Sequence, residues 1–318
     1  SHNNFEFNLL RVQNGLIDLK SSLVDNWSPV RSNSSIKRFK NLVKRIGPKA
    51  SFLNPSSIFY SNGMNYDIYF KNNFSKISNE YVNSLIDYKY KGDWPFTSIE
   101  KSPANQFFLR IGNKFGFDIH RNEIIYVSSG KNFITKTRNY LDKLFNEFGD
   151  KQSNNIVINN AFEPFDPEKS IQLFNHAKSI VVQRDPRDIY CSTMKVFDKE
   201  VFIPDYDNNN YHKNLKRNFL NTNKLEKFIE RQKIYFDHIK SYTSNNVLRL
   251  RYEELIFDYE NQLKVIYDFL DIDPKKHINK LKVFNPELSK KNVGLWKRIK
   301  QKKSIKEIKI NLKDFCYK

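Results

Sequence analysis

Ser179-Ile180-Val181-Val182-Gln183-Arg184-Asp185-Pro186-Arg187-Asp188-Ile189-Tyr190-Cys191-Ser192 is the stretch that decides the architecture. Ile180, Val181 and Val182 form a short β-branched run, which predicts a strand over Ser179–Gln183. Pro186 lacks an N–H and has a preset φ, so it suits the first turn of a helix, predicted over Pro186–Met194. Arg184 then stands at the carboxyl end of the strand. Ser192 follows eight residues later, on the helix. A planar guanidinium grips a phosphate with two parallel bonds, and a hydroxyl adds a third. The stretch has the makings of a monophosphate clamp.

The same alternation extends outward. Glu123–Val127 is β-like, and Asn132–Phe148 has helical spacing closed by Gly149. Asn155–Ile158 is a second apolar strand candidate. Asp166 and Pro167 are an N-cap and N1 pair opening a helix through Ala177. Tyr211–Tyr242 predicts a long basic helix, Val247–Leu250 a strand, and Glu260–Leu270 a helix with Leu263, Ile266, Phe269 and Leu270 on one face. Such alternation predicts an α/β fold, a central parallel sheet flanked by helices. Ligands of such sheets sit beyond the carboxyl ends of the strands. Ahead of residue 120, Asn14–Trp27, Ser35–Ile46 and Asn79–Tyr88 have helical patterns, and Ala50–Phe74 is an aromatic loop. No repeat or flexible linker interrupts the chain. It is expected to be one domain over 1–318, helical and loop-rich over 1–120 and an α/β core over 121–318.

At 318 residues, with 39% hydrophobic and 15% aromatic residues, the chain is long and apolar enough for a sizeable core. Lys and Arg total 54 against 35 acids, a net charge of +19 that favours anionic partners without choosing among them. Two cysteines, Cys191 and Cys316, do not make a disulfide framework. No stretch approaches the roughly 18 apolar residues of a membrane span. The six histidines have no metal-ligand spacing. The chain is expected to be cytoplasmic, unless a segment ahead of Ser1 directs it elsewhere.

The quoted stretch resembles the 3′-phosphate-binding segment of sulfotransferases, a strand followed by Arg-Asp-Pro-Arg-Asp and then Ser eight residues after the first Arg. The resemblance implies that Arg184 and Ser192 hold the 3′-phosphate of 3′-phosphoadenosine 5′-phosphosulfate. Two further blocks agree in order. Val247 to Leu255, ending in Tyr252-Glu253-Glu254-Leu255, resembles the family's strand ending in Tyr-Glu-Asp-Leu, with Phe269-Leu270 following. Tyr252 is then either a ring near the adenine or a core tyrosine. Lys290-Lys291-Asn292-Val293-Gly294-Leu295-Trp296-Lys297 resembles the loop around Gly-x-Trp-Lys that closes over the donor. It carries Lys290 and Lys291 where the family often has Arg-Lys-Gly. The implied fold is the P-loop-NTPase-like sulfotransferase fold, with 1–120 on the acceptor side and 121–318 binding the donor. The implied reaction is sulfuryl transfer to a hydroxyl or amine of a carbohydrate or small metabolite. It releases 3′-phosphoadenosine 5′-phosphate and needs no metal, no specific nucleic acid and no membrane segment.

The family's Gly-rich phosphate loop has no convincing counterpart. Ser128-Ser129-Gly130-Lys131 lies between a β-like run and a helix but lacks the paired Ser/Thr after the glycine. Ser1-His2-Asn3-Asn4-Phe5-Glu6-Phe7 resembles the segment that follows the loop's helix, which places the loop upstream of Ser1. Ser1-His2 equally fits a remnant of an expression tag. Sulfuryl transfer is helped by positioning, by cations on the leaving phosphate and by a base for the acceptor proton. The cytosolic branch's basic His has no counterpart in Ile158-Asn159-Asn160-Ala161. Glu6 matches the other branch's catalytic Glu, and burial among Phe5 and Phe7 would tune it. Two other classes stay open. A nucleotide kinase would need Gly-x-x-x-x-Gly-Lys-Ser/Thr, which is absent here. A catalytically inactive binder of glycan or nucleic-acid polyanions would use the basic faces Lys213–Lys240 and Lys297–Lys309.

Overall fold

Two compact units account for the computed structural model, one made of Ser1–Glu163 with Lys169–His176, the other of Pro164–Glu168 with Ala177–Lys318. The residues described are 6–49, 58, 61–92, 102–116, 123–148, 155–159, 161–196, 225–240 and 243–318.

In the first unit, α1 (Leu16–Lys20) runs into a π-helical turn, Ser21–Asp25. It is followed by α2 (Pro29–Ile46), capped by the Ser28 hydroxyl, which accepts from the Arg31 N–H. Next come α3 (Phe74–Leu85), β1 (Tyr88–Gly92), α4 (Pro103–Lys114), β2 (Glu123–Val127) and α5 (Phe133–Asn146). β1 and β2 pair antiparallel, Tyr88 opposite Val127. The aromatic richness of the early chain is spent on the core. Phe7, Tyr66, Phe70 and Phe74 are all buried, with Phe145 packed against them. Tyr66 spans the cluster by donating to the Glu6 carbonyl at 2.9 Å and accepting from the Asn8 N–H at 2.7 Å. Tyr81 and Tyr140 stack at 4.3 Å, their hydroxyls bonded to Thr137 and Ser78. Each of these buried phenol hydroxyls has a partner, as the low dielectric of a core demands.

The second unit holds β3 (Ser179–Gln183), α6 (Pro186–Val196), α7 (Leu225–Lys240), β4 (Val247–Arg251), α8 (Tyr252–Phe257), α9 (Tyr259–Leu270) and α10 (Lys302–Asn311). β3 and β4 pair parallel, from Ser179 opposite Val247 to Gln183 opposite Arg251. Its core gathers Tyr190, Cys191, Phe228, Ile305, Ile308 and Leu312.

Mixed α/β content and a parallel pair agree with the sequence, but the wide central sheet does not form among the described residues. Both sheets have two strands. Asn155–Ile158 is not a ladder strand. The extended chain there makes one parallel bridge, Glu6 with Asn159, and leaves Val157 94% exposed. An apolar run is a strand only where neighbours take up its backbone groups. The helix expected from Asp166 to Ala177 is one turn, Glu168–Ile171. Beyond it the Arg138 guanidinium takes the Gln172 carbonyl with Nε and Nη2, at 3.2 and 3.1 Å, and Leu173 turns into the core. Of the basic helix expected from Tyr211, the described part is Leu225–Lys240; residues 211–224 lie outside the described set.

Burial holds the phenols of Tyr66, Tyr81 and Tyr140 well above their ordinary 10.0 and pushes the Cys191 thiol up to about 12. A raised folded-state pKa gives stability that is present below the unfolded value and lost as the pH rises toward the folded one. The loss therefore starts near pH 9 to 10, where the unfolded thiol and phenols ionise. The urea midpoint is expected to be flat up to pH 8 and to fall progressively from pH 9 to 11. In Tyr81→Phe that alkaline fall should be shallower. A midpoint unchanged across the range would show that these groups ionise as readily in the fold as in the unfolded chain.

Candidate functional site

The parallel register builds the site. With Gln183 opposite Arg251, the next residues, Arg184 and Tyr252, are brought side by side, and after them Asp185 and Glu253. The Arg184 guanidinium lies over the Tyr252 ring, 5.2 Å from its centroid. The Asp185 N–H donates to Glu253 Oε1 at 2.7 Å. One peptide further, the carboxylate of Asp185 receives Arg187 Nε at 3.0 and 3.1 Å, Arg187 Nη2 at 2.5 Å and the Arg187 N–H at 2.8 Å. Asp185, Arg187, Asp188 and Glu253 are all buried. Burial opposes the Arg187 charge, but the Asp185 carboxylate more than offsets it and raises the guanidinium above its ordinary value. Four of the five residues in Arg184–Asp188 thus serve as scaffold: the buried Asp185–Arg187 pair, Pro186 at the start of α6, and Asp188 on its first turn.

Asp188 ties α6 to the loop after Lys290. Its carboxylate accepts the N–H of Gly294 at 2.7 Å and of Trp296 at 3.2 Å. Burial raises its pKa, with those two N–H groups working in the opposite direction. Gly294 has φ +72°, the left-handed turn that lets successive N–H groups converge on one carboxylate. So held, the loop presents the Asn292 carbonyl to Arg184 Nη2 at 2.6 Å. Arg184 Nε is buried and has no hydrogen-bond partner among the described residues.

The structure therefore brings Arg184, Tyr252 and the loop together. Ser192 is half-buried on α6, one turn beyond Asp188 and so on the helix face that carries the loop. Lys290 is turned to Glu287, with Nζ 2.6 and 2.8 Å from its carboxylate oxygens. Lys291 is exposed and unpaired among the described residues. The Trp296 ring is taken by Arg187, whose Cζ is 4.1 Å from its centroid. Trp296 is thus part of the scaffold that carries the loop. Glu6 belongs to the other unit. Its side chain is exposed, not buried as expected, because in the extended segment Phe7 takes the core position and its neighbour points away. Asp188, Glu253 and Tyr317 were missed from sequence. Only the register and the packing of distant segments give them their partners.

Ser128–Lys131 is not an anion cradle. The N–H of Ser128 donates to the Ser32 hydroxyl, that of Ser129 to the Asp87 carboxylate at 2.6 Å, and that of Gly130 to Ser128 Oγ. A carboxylate already stands where a phosphate would have to bind. Gly130 is needed for packing: at φ +68°, a Cβ there would lie 2.0 Å from the Leu23 carbonyl oxygen. Among the described residues, no group of three or more His, Cys, Asp or Glu is placed to hold a metal ion, and no helix is long and apolar enough to cross a membrane.

Residues 127–276 match the model of the Sulfotransferase family. On that match the segment is assigned to the sulfotransferases. No curated protein and no solved structure matches the chain. The sulfotransferase segment runs from the end of β2 through α9, and it contains Arg184, Ser192 and Tyr252. Glu6 and the loop with Lys290, Lys291 and Trp296 lie outside it. The match points to transferase chemistry for this segment, and burial raises the Cys191 thiol, which makes it a poor nucleophile.

Proposed function

We propose that this chain transfers a sulfuryl group from 3′-phosphoadenosine 5′-phosphosulfate to a hydroxyl or amine of a carbohydrate or small metabolite. Arg184 carries the proposal. Every other charged member of its motif is buried and paired, whereas Arg184 stands past the carboxyl end of β3 with a buried Nε that has no hydrogen-bond partner among the described residues. An orphaned guanidinium N–H is costly unless a ligand satisfies it. A phosphate suits its planar fork. Beside it stands an aromatic ring for a purine, Tyr252, and the loop whose Asn292 carbonyl it bonds carries Lys291, exposed and unpaired among the described residues.

In this reading, Arg184 and Ser192 hold the 3′-phosphate of the donor. Tyr252 packs on the adenine. Lys291 places its charge on the same loop, which Asp188 keeps against α6. Lys290 and Trp296 support that loop through Glu287 and Arg187. The donor supplies the activated sulfuryl group and a nucleotide leaving group. Glu6 takes the proton of the acceptor. It is bridged to Asn159, within the stretch that corresponds to the cytosolic branch's basic-His segment. The reading brings with it the P-loop-NTPase-like fold, with β3 and α6 as its 3′-phosphate arm.

Calorimetric titration with 3′-phosphoadenosine 5′-phosphate and with adenosine 5′-phosphate tests the clamp. The bisphosphate is expected to bind at least about tenfold more tightly, the share of a charge-assisted phosphate contact. Equal affinities would remove the clamp. Tight binding of a sulfated polysaccharide with steep salt dependence, and of neither nucleotide, would replace transfer with polyanion binding.

A further inference from the structure

The segment after α10 has no part in the site so far, yet it is built into the arginine's motif. The Tyr317 N–H donates to Asp185 Oδ2 at 2.9 Å, and the Tyr317 carbonyl accepts from Arg187 Nη2 at 2.7 Å. Two residues earlier, the Phe315 carbonyl accepts from Arg251 Nη2 at 2.9 Å. Rings anchor these backbone contacts. Phe315 stacks on Phe236 of α7 at 4.3 Å and 12°, and Tyr317 lies between Phe257, 6.4 Å away, and the Arg251 guanidinium, 5.5 Å away.

The residues it grips explain what the segment does. Asp185 directly follows Arg184. Its N–H is fixed by Glu253 and its carboxylate by Arg187, so the peptide that sets the direction of Arg184 is held from both sides. Tyr317 completes this grip by bonding both members of the buried pair at once. Arg251 is the strand partner of Gln183, the residue before Arg184. The segment therefore grips the chain just after the arginine and the strand partner of the residue just before it.

We propose that Phe315–Tyr317 is a positioning element for Arg184, acting through Asp185, Arg187 and Arg251. The proposal rests on the assignment of Arg184 to the 3′-phosphate. A site that must place a guanidinium on a phosphate to within a few tenths of an ångström needs such support around it.

Tyr317→Pro removes the N–H that Tyr317 gives to Asp185 together with the ring that packs against Phe257 and Arg251. Cys316 already has φ −68° and ψ 136°, the extended conformation that precedes a proline, so the change adds no strain there. Binding of 3′-phosphoadenosine 5′-phosphate is measured for Tyr317→Pro and Tyr317→Phe, each with Arg184 and with Arg184→Ala. Tyr317→Pro is expected to weaken binding about tenfold when Arg184 is present and to add nothing when it is absent, the mark of two residues acting as one. Tyr317→Phe keeps the N–H and should retain the affinity. Equal weakening in both backgrounds, or none in either, overturns the positioning role while leaving the clamp standing. No loss from Arg184→Ala overturns the clamp and, with it, this proposal. If Tyr317→Pro does not fold, Phe315→Ala takes its place, loosening the anchor on Phe236, with about a threefold loss expected and the same dependence on Arg184.

Discussion

Arg184→Ala is expected to weaken binding of 3′-phosphoadenosine 5′-phosphate about 100-fold, roughly 2.7 kcal/mol, while the thermal midpoint hardly moves. The two halves of this result follow from different contacts. The binding loss is that of a bidentate, charge-assisted pair on the 3′-phosphate, to which Arg184 alone in its motif is free to contribute. The fold is spared because Arg184 holds little of it together: one hydrogen bond to the Asn292 carbonyl and a ring contact with Tyr252. Arg184→Lys should fall between, since an ammonium keeps the charge and loses the fork. Adenosine 5′-phosphate, lacking the 3′-phosphate, should bind wild type and Arg184→Ala alike. If the bisphosphate lost no affinity, the phosphate would not lie at the end of β3, and the transfer reading would lose the observation that carries it.

Asp185→Ala should have the opposite profile, a loss of fold stability of about 3–5 kcal/mol by urea unfolding. Arg187 is 4% exposed and its guanidinium lies between Asp185 and the Trp296 ring. Removing the carboxylate leaves that charge buried, and the N–H groups of Arg187 and Tyr317 lose their acceptor as well. Uncompensated burial makes the cost large, since the pair itself is worth far less than the penalty of breaking it. Asp185→Asn keeps an acceptor oxygen and should cost less. A change below about 1 kcal/mol for Asp185→Ala would mean that Arg187 finds water or another partner and that the buried pair is not the hub of the motif.

The two neighbouring residues thus divide the work; sequence singled out Arg184 for the phosphate but gave no role to Asp185, Arg187 or Asp188. Arg184, Asp185, Arg187 and Asp188 read as one run of alternating charges. Burial separates them: Pro186 starts α6 and turns the chain so that Asp185, Arg187 and Asp188 point inward and Arg184 stays at the strand end. The loop residues were sorted the same way. Lys290, Lys291 and Trp296 looked equivalent as donor contacts. The structure gives Lys290 to Glu287 and Trp296 to Arg187, and leaves Lys291.

Sequence by itself determined several local elements in each unit. β2 and β3 have the bounds expected of them, and β4, α5, α6 and α9 differ by a few end residues, because short β-branched runs and 3.6-residue spacing report directly on which backbone is favoured. It also located Arg184 at a strand terminus; Tyr252, expected at the end of a strand, instead opens α8. Tertiary structure decided whatever depends on neighbours. It left Asn155–Ile158 outside any ladder among the described residues, with one bridge at the adjoining Asn159, because hydrogen-bonding partners make a strand and an apolar run does not. It exposed Glu6, since Phe7 next to it fills the core. It made the Asp185–Glu253 contact out of a register that no single strand contains. It closed the motif with Tyr317, more than a hundred residues away, where neither periodicity nor spacing reaches and only packing brings the groups together.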